Sequence, residues 1–429
     1  MIFYDAFVFW NPWWSGERDW LKARERDDLL SLKQLFGRKE ILTISGVRRS
    51  GKTTMLHLLI DHLLKEGVPA RNILQLNLED PAFKDASLYD LYEKYLEFLN
   101  PSGKIYVFLD EVQEMEGWQK DLRKLYDGVP GLKIVVTGSN SSLLKGEYAT
   151  LLTGRTIPYE VYPFSFREIV TYRGILRDFA LPTVISRKAR IRRAFSEYLL
   201  YGGFPEVVNE ENTKLKTTLL KEYYTGILTR DVIRRYAIRR TKQYEKAAHF
   251  LMSNTTALFS VKNLSGLLDV NAHTLEEYIG YLEDVYLLFG VNHFSYSLKK
   301  QITYPRKVYC VDNGFINAVS FKFSEDAGRL LENAVYAGIK AGGLECYYWK
   351  GKRECDFVVK EGTAARDVLQ VSYSLKEAGT RKRELEGLLE AMREFNLKKG
   401  TILTFDESES IAVEGVKIDV VPVWQWLLR

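Results

Sequence analysis

Residues 41–54, ILTISGVRRSGKTT, constrain this chain more than any other stretch. A β-favouring run, Ile41 to Ser45, leads into Gly46-Val47-Arg48-Arg49-Ser50-Gly51-Lys52-Thr53, and apolar residues then recur at helical spacing to Leu64. The pattern G-x-x-x-x-G-K-[ST] between a strand and a helix is met at every fixed position. Gly46 and Gly51 let backbone N–H groups curl around phosphate oxygens, and the following helix directs its positive end at the same anion. Lys52 is expected to reach the outer phosphates and Thr53 to place its hydroxyl on Mg²⁺. Arg48, Arg49, Ser50 and Thr54 complete the nucleotide-facing loop. A strand buried on both faces and followed by a helix implies a parallel α/β sheet with its functional residues at the carboxyl edge.

Three further apolar runs extend that sheet. Residues 105–109, IYVFL, end in Asp110-Glu111. Asp110 is expected to hold Mg²⁺, and Glu111 to polarise an attacking water. Residues 73–78 and 134–138 end in Glu79-Asp80 and Ser139-Asn140. Ser139 and Asn140 either sense the terminal phosphate or cap a helix that begins near Ser141.

A chain of 429 residues exceeds one compact core. We divide it into a P-loop ATPase domain (1–180), a helical lid with a winged-helix-like region (181–310) and a C-terminal α/β domain (311–429). Apolar residues at 46% and charged residues at 27% exclude disorder as the rule for the chain. Three cysteines without a C-x-x-C pair support neither a disulfide framework nor a zinc site, and point to a reducing, cytoplasmic setting. The opening MIFYDAFVFWNPWW is interrupted by Asp5 and is far short of a membrane span, so it reads as a tail packed on the body.

The net charge is only +5, but residues 181–240 carry thirteen Lys and Arg against six Asp and Glu. Such a surplus suits either a polyanion or a solvated helix face. Within it, Arg230 and Arg234 share one helix face, as do Arg235 and Arg239. Residues 247–300 then read as helix, turn, helix and a β-rich tail, the order of a winged helix. His273, Thr274, Lys299 and Lys300 are its candidate nucleic-acid contacts, with DNA ahead of RNA. Glu276, Glu277 and Glu283 on the would-be recognition helix favour protein docking instead.

Five segments, SGVRRSGKTT, VFLDEVQ, VTGSNSSLL, LLTGRTIPYEVYPFSFREI and YGGFPEVV, resemble the motif series of AAA+-type archaeal ATPases related to the signal-transduction NTPases. The resemblance implies ATP and Mg²⁺ as cofactors. It also makes Arg155 a candidate arginine finger, acting in cis or from a neighbouring subunit of a homo-oligomer.

The last 120 or so residues pose a second question. A helix over 326–341 carrying Glu332, strands over 345–350, 355–360 and 368–373, a helix over 379–395 and a strand over 401–405 resemble the restriction-endonuclease-like fold. Active members of that fold bind Mg²⁺ with a helix glutamate, a strand aspartate and an E-x-K strand. Glu332 and Asp356 match, whereas Gln370 stands for the second carboxylate and Ser372 for the lysine. Lys376 or Lys382 could replace that lysine in space. A degenerate, binding or assembling domain is expected. The rival expectations are a nucleotide-gated nuclease and a scaffold that binds ATP with little turnover.

Overall fold

Apolar runs near the start of the chain become five parallel strands: β1 (Ile41–Ser45), β2 (Ile73–Asn77), β3 (Tyr106–Asp110), β4 (Lys133–Gly138) and β5 (Thr156–Glu160). Their order across the sheet is β2-β3-β4-β1-β5, and every pair is parallel. β1 and β4 are buried along their whole length, as helices on both faces require. The computed structural model describes residues 2–17, 21, 26–27, 29–141, 151–320 and 327–429. A helix beginning near Ser141 would lie outside the described residues, as do Ser142, Leu143 and Leu144.

The exposed side of β2 is closed by the N-terminal segment. The helix Ile2–Trp10 buries Phe7 against the core that holds Leu74 and Leu76. Asn11 then imitates a neighbouring strand: its Oδ1 accepts from Gln75 N at 2.7 Å and its Nδ2 donates to Gln75 O at 2.9 Å. Trp13 and Trp14 both donate their indole N–H to Ile73 O. The aromatic tail therefore protects a sheet edge that would otherwise present unpaired backbone groups.

The chain forms two compact units, Met1–Val161 and Tyr162–Arg429. The second begins before the sequence-based boundary at 180, because the helix Phe166–Tyr172 packs on the helix Lys188–Tyr201 through Phe166, Phe195 and Tyr198. It also runs on across residue 310. Here the helices Thr241–Ser253, Val261–Leu268 and Ala272–Asp284 accompany a three-stranded antiparallel sheet of β6 (Leu258–Phe259), β7 (Leu288–Val291) and β8 (Arg306–Cys310), in the order β6-β8-β7.

A six-stranded mixed sheet follows: β9 (Glu345–Lys350), β10 (Glu354–Glu361), β11 (Ala364–Val371), β12 (Lys399–Thr404), β13 (Glu409–Val413) and β14 (Val416–Pro422), ordered β13-β14-β12-β11-β10-β9. Alternate residues serve two cores. Phe357, Leu369 and Leu403 join one with Leu331 and Val335 of the helix Ala327–Ala341. Val358, Val368 and Ile402 join the other with Leu388 and Met392 of the helix Ala378–Glu394. The period of two along each strand thus produces three layers. Asp326, which the sequence placed at a helix start, lies outside the described residues.

The YGGF turn has a packing reason. Gly202 adopts φ 71, and a Cβ there would fall 1.6 Å from Asp312 Oδ1. Asp312 accepts from Gly203 N at 2.6 Å and caps the helix Asn313–Val319 through Gly314 N at 2.8 Å.

Candidate nucleotide site

At the carboxyl end of β1 the chain turns through Gly46 at φ 152, where a Cβ would meet Val161 O at 2.1 Å. Arg49, at φ 70, and Gly51, at φ 103, complete the turn, and the helix Lys52–Lys65 starts at once. Its first-turn N–H groups have no partner within the helix and face the loop, the arrangement that receives an anion. The Lys52 ammonium is buried and donates to Gly46 O at 3.1 Å and Val47 O at 3.3 Å. It stands 3.7 Å from Glu111 Oε1.

The neighbouring strand β3 brings the acidic pair to the same edge. Asp110 Oδ2 accepts from the Thr53 hydroxyl at 2.7 Å, and its Oδ1 accepts from the Thr137 hydroxyl. Thr137 Oγ1 also accepts from Glu111 N at 3.0 Å. Glu111 takes a left-handed conformation, φ 51, and its carboxylate receives the Gln113 amide. Burial and the adjacent Glu111 charge push the Asp110 carboxyl up to about 6, against the hydrogen bonds from Thr137 and Thr53. A cation placed here would relieve that cost.

The donors suit the groups the sequence implied. Thr53 and Asp110 offer hard oxygens side by side, which match Mg²⁺. Ser50 Oγ and Ser139 Oγ are buried without a hydrogen-bond partner among the described residues. Ser50 belongs to the loop itself, so an arriving phosphate would meet an unused hydroxyl there. Asn140 is also buried at the end of β4, and Arg48 is tied to Glu79 at 3.1 Å.

Lys52, Thr53, Asp110 and Glu111 come together, with Gly46, Ser50 and Gly51 shaping the loop beside them. Arg155 does not. It precedes β5, its carbonyl accepts from Ile41 N at the amino end of β1, and its guanidinium clasps Asp127 at 2.9 and 3.0 Å. That is the opposite edge of the sheet from Lys52. Two contributors went unread in the sequence. Thr137 links both acids, and β4 register beside β3 is the signal that would have found it. Arg26 donates to Ser50 O at 3.0 Å, and the sequence around it carries no motif.

The acidic residues of the second unit are gathered around a different lysine. Lys307 of β8, 2% exposed, lies 3.0 Å from Glu332 Oε1, 2.8 Å from Glu354 Oε1 and 3.0 Å from Asp356 Oδ1. Gln370 turns its Oε1 to Asp356 N at 3.2 Å and its Nε2 to Glu384 at 2.6 Å. Ser372 donates to Ser374 O. Neither downstream lysine offered by the sequence is at the cluster: Lys376 is exposed, and Lys382 points to Glu386 at 3.9 Å.

A parallel β2-β3-β4-β1-β5 sheet, with a phosphate loop after β1 and an acidic pair after β3, is the arrangement of a P-loop nucleotide-binding domain. Residues 38–170 match the family described as AAA domain, and residues 192–326 match a domain of unknown function. The chain is 32% identical to an uncharacterized protein of Methanocaldococcus jannaschii over 91% of its own length and 88% of that protein. It is 30% identical to an uncharacterized protein of Haemophilus influenzae, over 93% and 97%. The chain belongs to the family of these two proteins. Among solved structures, the Aeropyrum pernix ORC1 protein in complex with DNA matches at 15% identity and a TM-score of 0.33, over 71% of this chain and 95% of that one. So loose a superposition carries no argument. Among the described residues no helix is long and apolar enough to cross a membrane.

Proposed function

We propose that this protein is an Mg²⁺-dependent ATPase whose nucleotide state acts as a switch on a nucleic-acid or protein partner. The observation that supports it most is the connected set Thr53–Asp110–Thr137–Glu111 beside the buried Lys52. In this reading Thr53 and Asp110 hold Mg²⁺, which supplies charge neutralisation on the phosphates. Lys52 exchanges its two carbonyl acceptors for phosphate oxygens. Glu111 positions the attacking water and takes its proton, and Gln113 and Thr137 fix its direction. Asn140 contacts the terminal phosphate or that water. Arg48, Arg49, Ser50 and Thr54 line the nucleotide, and Arg155 is reserved for a neighbouring subunit of a homo-oligomer.

Partner engagement falls to the second unit. We read its 241–310 region as a winged helix, since three helices and strands in the order β6-β8-β7 have that topology. A short helix, Leu298–Thr303, stands where a wing would be and carries exposed Lys299 and Lys300. DNA is the first partner to test, ahead of RNA or protein.

Steady-state ATP hydrolysis of the wild type, Lys52→Ala and Glu111→Gln tests the site, with and without double-stranded DNA, single-stranded DNA and RNA at two salt concentrations. Turnover unchanged in both variants would sink the assignment. A Lys52-dependent rate raised by one polymer and reduced again by salt would identify the partner. Indifference to all three polymers would turn the search to proteins.

A further inference from the structure

The restriction-endonuclease-like resemblance of the C-terminal region implies a divalent metal held by Glu332 and Asp356. The side chains present do not fit one. Among the described residues, no group of three or more His, Cys, Asp or Glu side chains is arranged to hold a metal ion. The place between the carboxylates is taken by an ammonium group.

Lys307 reaches that place from β8, a strand of the three-stranded sheet, whereas its partners lie on β10 and on the helix Ala327–Ala341. Other polar groups of the cluster are already engaged. Asp356 Oδ2 accepts from Val371 N at 2.9 Å, and Tyr309 OH donates to the same Glu332 Oε1 that Lys307 holds, at 2.7 Å. Gln370, at the position of the missing second carboxylate, spends its oxygen on the Asp356 backbone. A hard divalent cation needs six or more oxygens turned towards it and sheds its water reluctantly. Here the inward oxygens already converge within 3.0 Å of one nitrogen.

We infer that Lys307 is the resident cation of this carboxylate cluster, which excludes a catalytic metal and clasps β8 to β10 and the helix Ala327–Ala341. This reading stands apart from the ATPase proposal, since it concerns no residue of the nucleotide site. It assigns the cluster a joining role: the strand that the proposed partner-binding region contributes is locked electrostatically to the six-stranded sheet.

Two measurements on the full chain test it. In the first, Mn²⁺ is titrated into wild type, Asp356→Asn and Glu354→Gln, with free Mn²⁺ read by electron paramagnetic resonance, and DNA and RNA cleavage is assayed in Mg²⁺ and Mn²⁺. The expected isotherms superimpose, with no cleavage attributable to the cluster. A Mn²⁺ site, or a cutting activity, that either substitution removes would overturn the inference, and this arm needs no change at Lys307. In the second, Lys307→Met is expected to lower Tm by several degrees or more and to speed amide exchange in β8, β10 and residues 327–341 together. Adding Asp356→Asn and Glu354→Gln to Lys307→Met should recover part of the lost Tm, because the stranded charges are then removed. A Lys307→Met protein with wild-type Tm and exchange would refute the clasp.

Discussion

Lys52 and Lys307 are both buried and both face carboxylates, and the difference between them lies in what holds each ammonium. Lys52 rests on two backbone carbonyls and stands 3.7 Å from its nearest carboxylate. Neutral acceptors are readily exchanged for phosphate oxygens, so this lysine is available for work. Lys307 is bound at 3.0 Å or less by three carboxylates. Burial works against its charge, yet Glu332, Asp356 and Glu354 hold its pKa well above the usual lysine range. A lysine so fully compensated is part of the framework. The comparison teaches that a lysine amid acids signals chemistry only where its present partners can be given up.

Stability measurements separate the two most sharply. Lys307→Met strands a buried set of carboxylates and should cost about 3–5 kcal/mol in urea unfolding. Lys52→Ala loses hydrogen bonds to two carbonyls and should cost less than about 2 kcal/mol. Equal losses would erase the distinction.

Activity should show the reverse. Glu111→Gln keeps the shape of the site but removes the carboxylate that takes the proton, so turnover should fall by about 10²–10⁴-fold with ATP binding retained. Lys307→Met, where it folds, should hydrolyse ATP at the wild-type rate per folded molecule. The check is single-turnover hydrolysis beside equilibrium binding of a labelled nucleotide. A Glu111→Gln protein that hydrolyses at full rate would move the base elsewhere.

How much of this was readable in advance follows from how local each feature is. The phosphate loop and Asp110-Glu111 are short, contiguous patterns, and β1 to β4 are continuous apolar runs. Thr137 became visible only through the register of β4 on β3, where Leu109 faces Val136. β5 escaped because Thr156–Glu160 is only partly buried and contains Pro158, which an edge strand tolerates and a central one does not. β13 escaped for a similar reason, since Glu409–Val413 is an exposed edge. Lys307 is not legible as a partner of Asp356 from the sequence, because it belongs to neither the strand of Ser372 nor the helix that follows it. The contact actually joins residues 25 to 49 positions apart, through two different sheets.

Acid should also leave a mark on the helix that carries Lys52. His57 lies one turn beyond Lys52 on the same helix, and burial lowers its pKa to about 4, against a hydrogen bond with Gln75. The unfolded chain binds a proton at His57 below about 6.5, whereas the folded one stays neutral to about 4. Unfolding therefore takes up a proton in that window, and stability falls as pH drops from about 6.5 to 4, by about 3 kcal/mol in full. His57→Gln should remove this slope. Lys307 contributes no slope there: its raised folded pKa gives a stabilisation that is complete below about 10.5 and is lost only as pH rises beyond that value. Urea midpoints across pH 4 to 7 for wild type and His57→Gln measure the difference, and parallel curves would mean that His57 binds its proton equally in the folded and unfolded chains.

The smallest effect is expected at Arg155, and its size is informative. Its pair with Asp127 is exposed, and such pairs contribute little because water and salt screen them. Arg155→Ala should therefore leave Tm unchanged. At concentrations where the chain is monomeric it should also leave ATP turnover unchanged, because the guanidinium sits at the amino edge of the sheet while Lys52 and Glu111 lie at the carboxyl edge. Turnover measured across a concentration series, with the oligomeric state followed by light scattering, decides what remains. If the wild-type rate per chain climbs with concentration and the Arg155→Ala rate does not, the arginine crosses a subunit boundary to complete a neighbour's site. If both stay flat and equal, Arg155 is a surface residue, and charge developing on the terminal phosphate must be met by Lys52 and the loop arginines of the same chain.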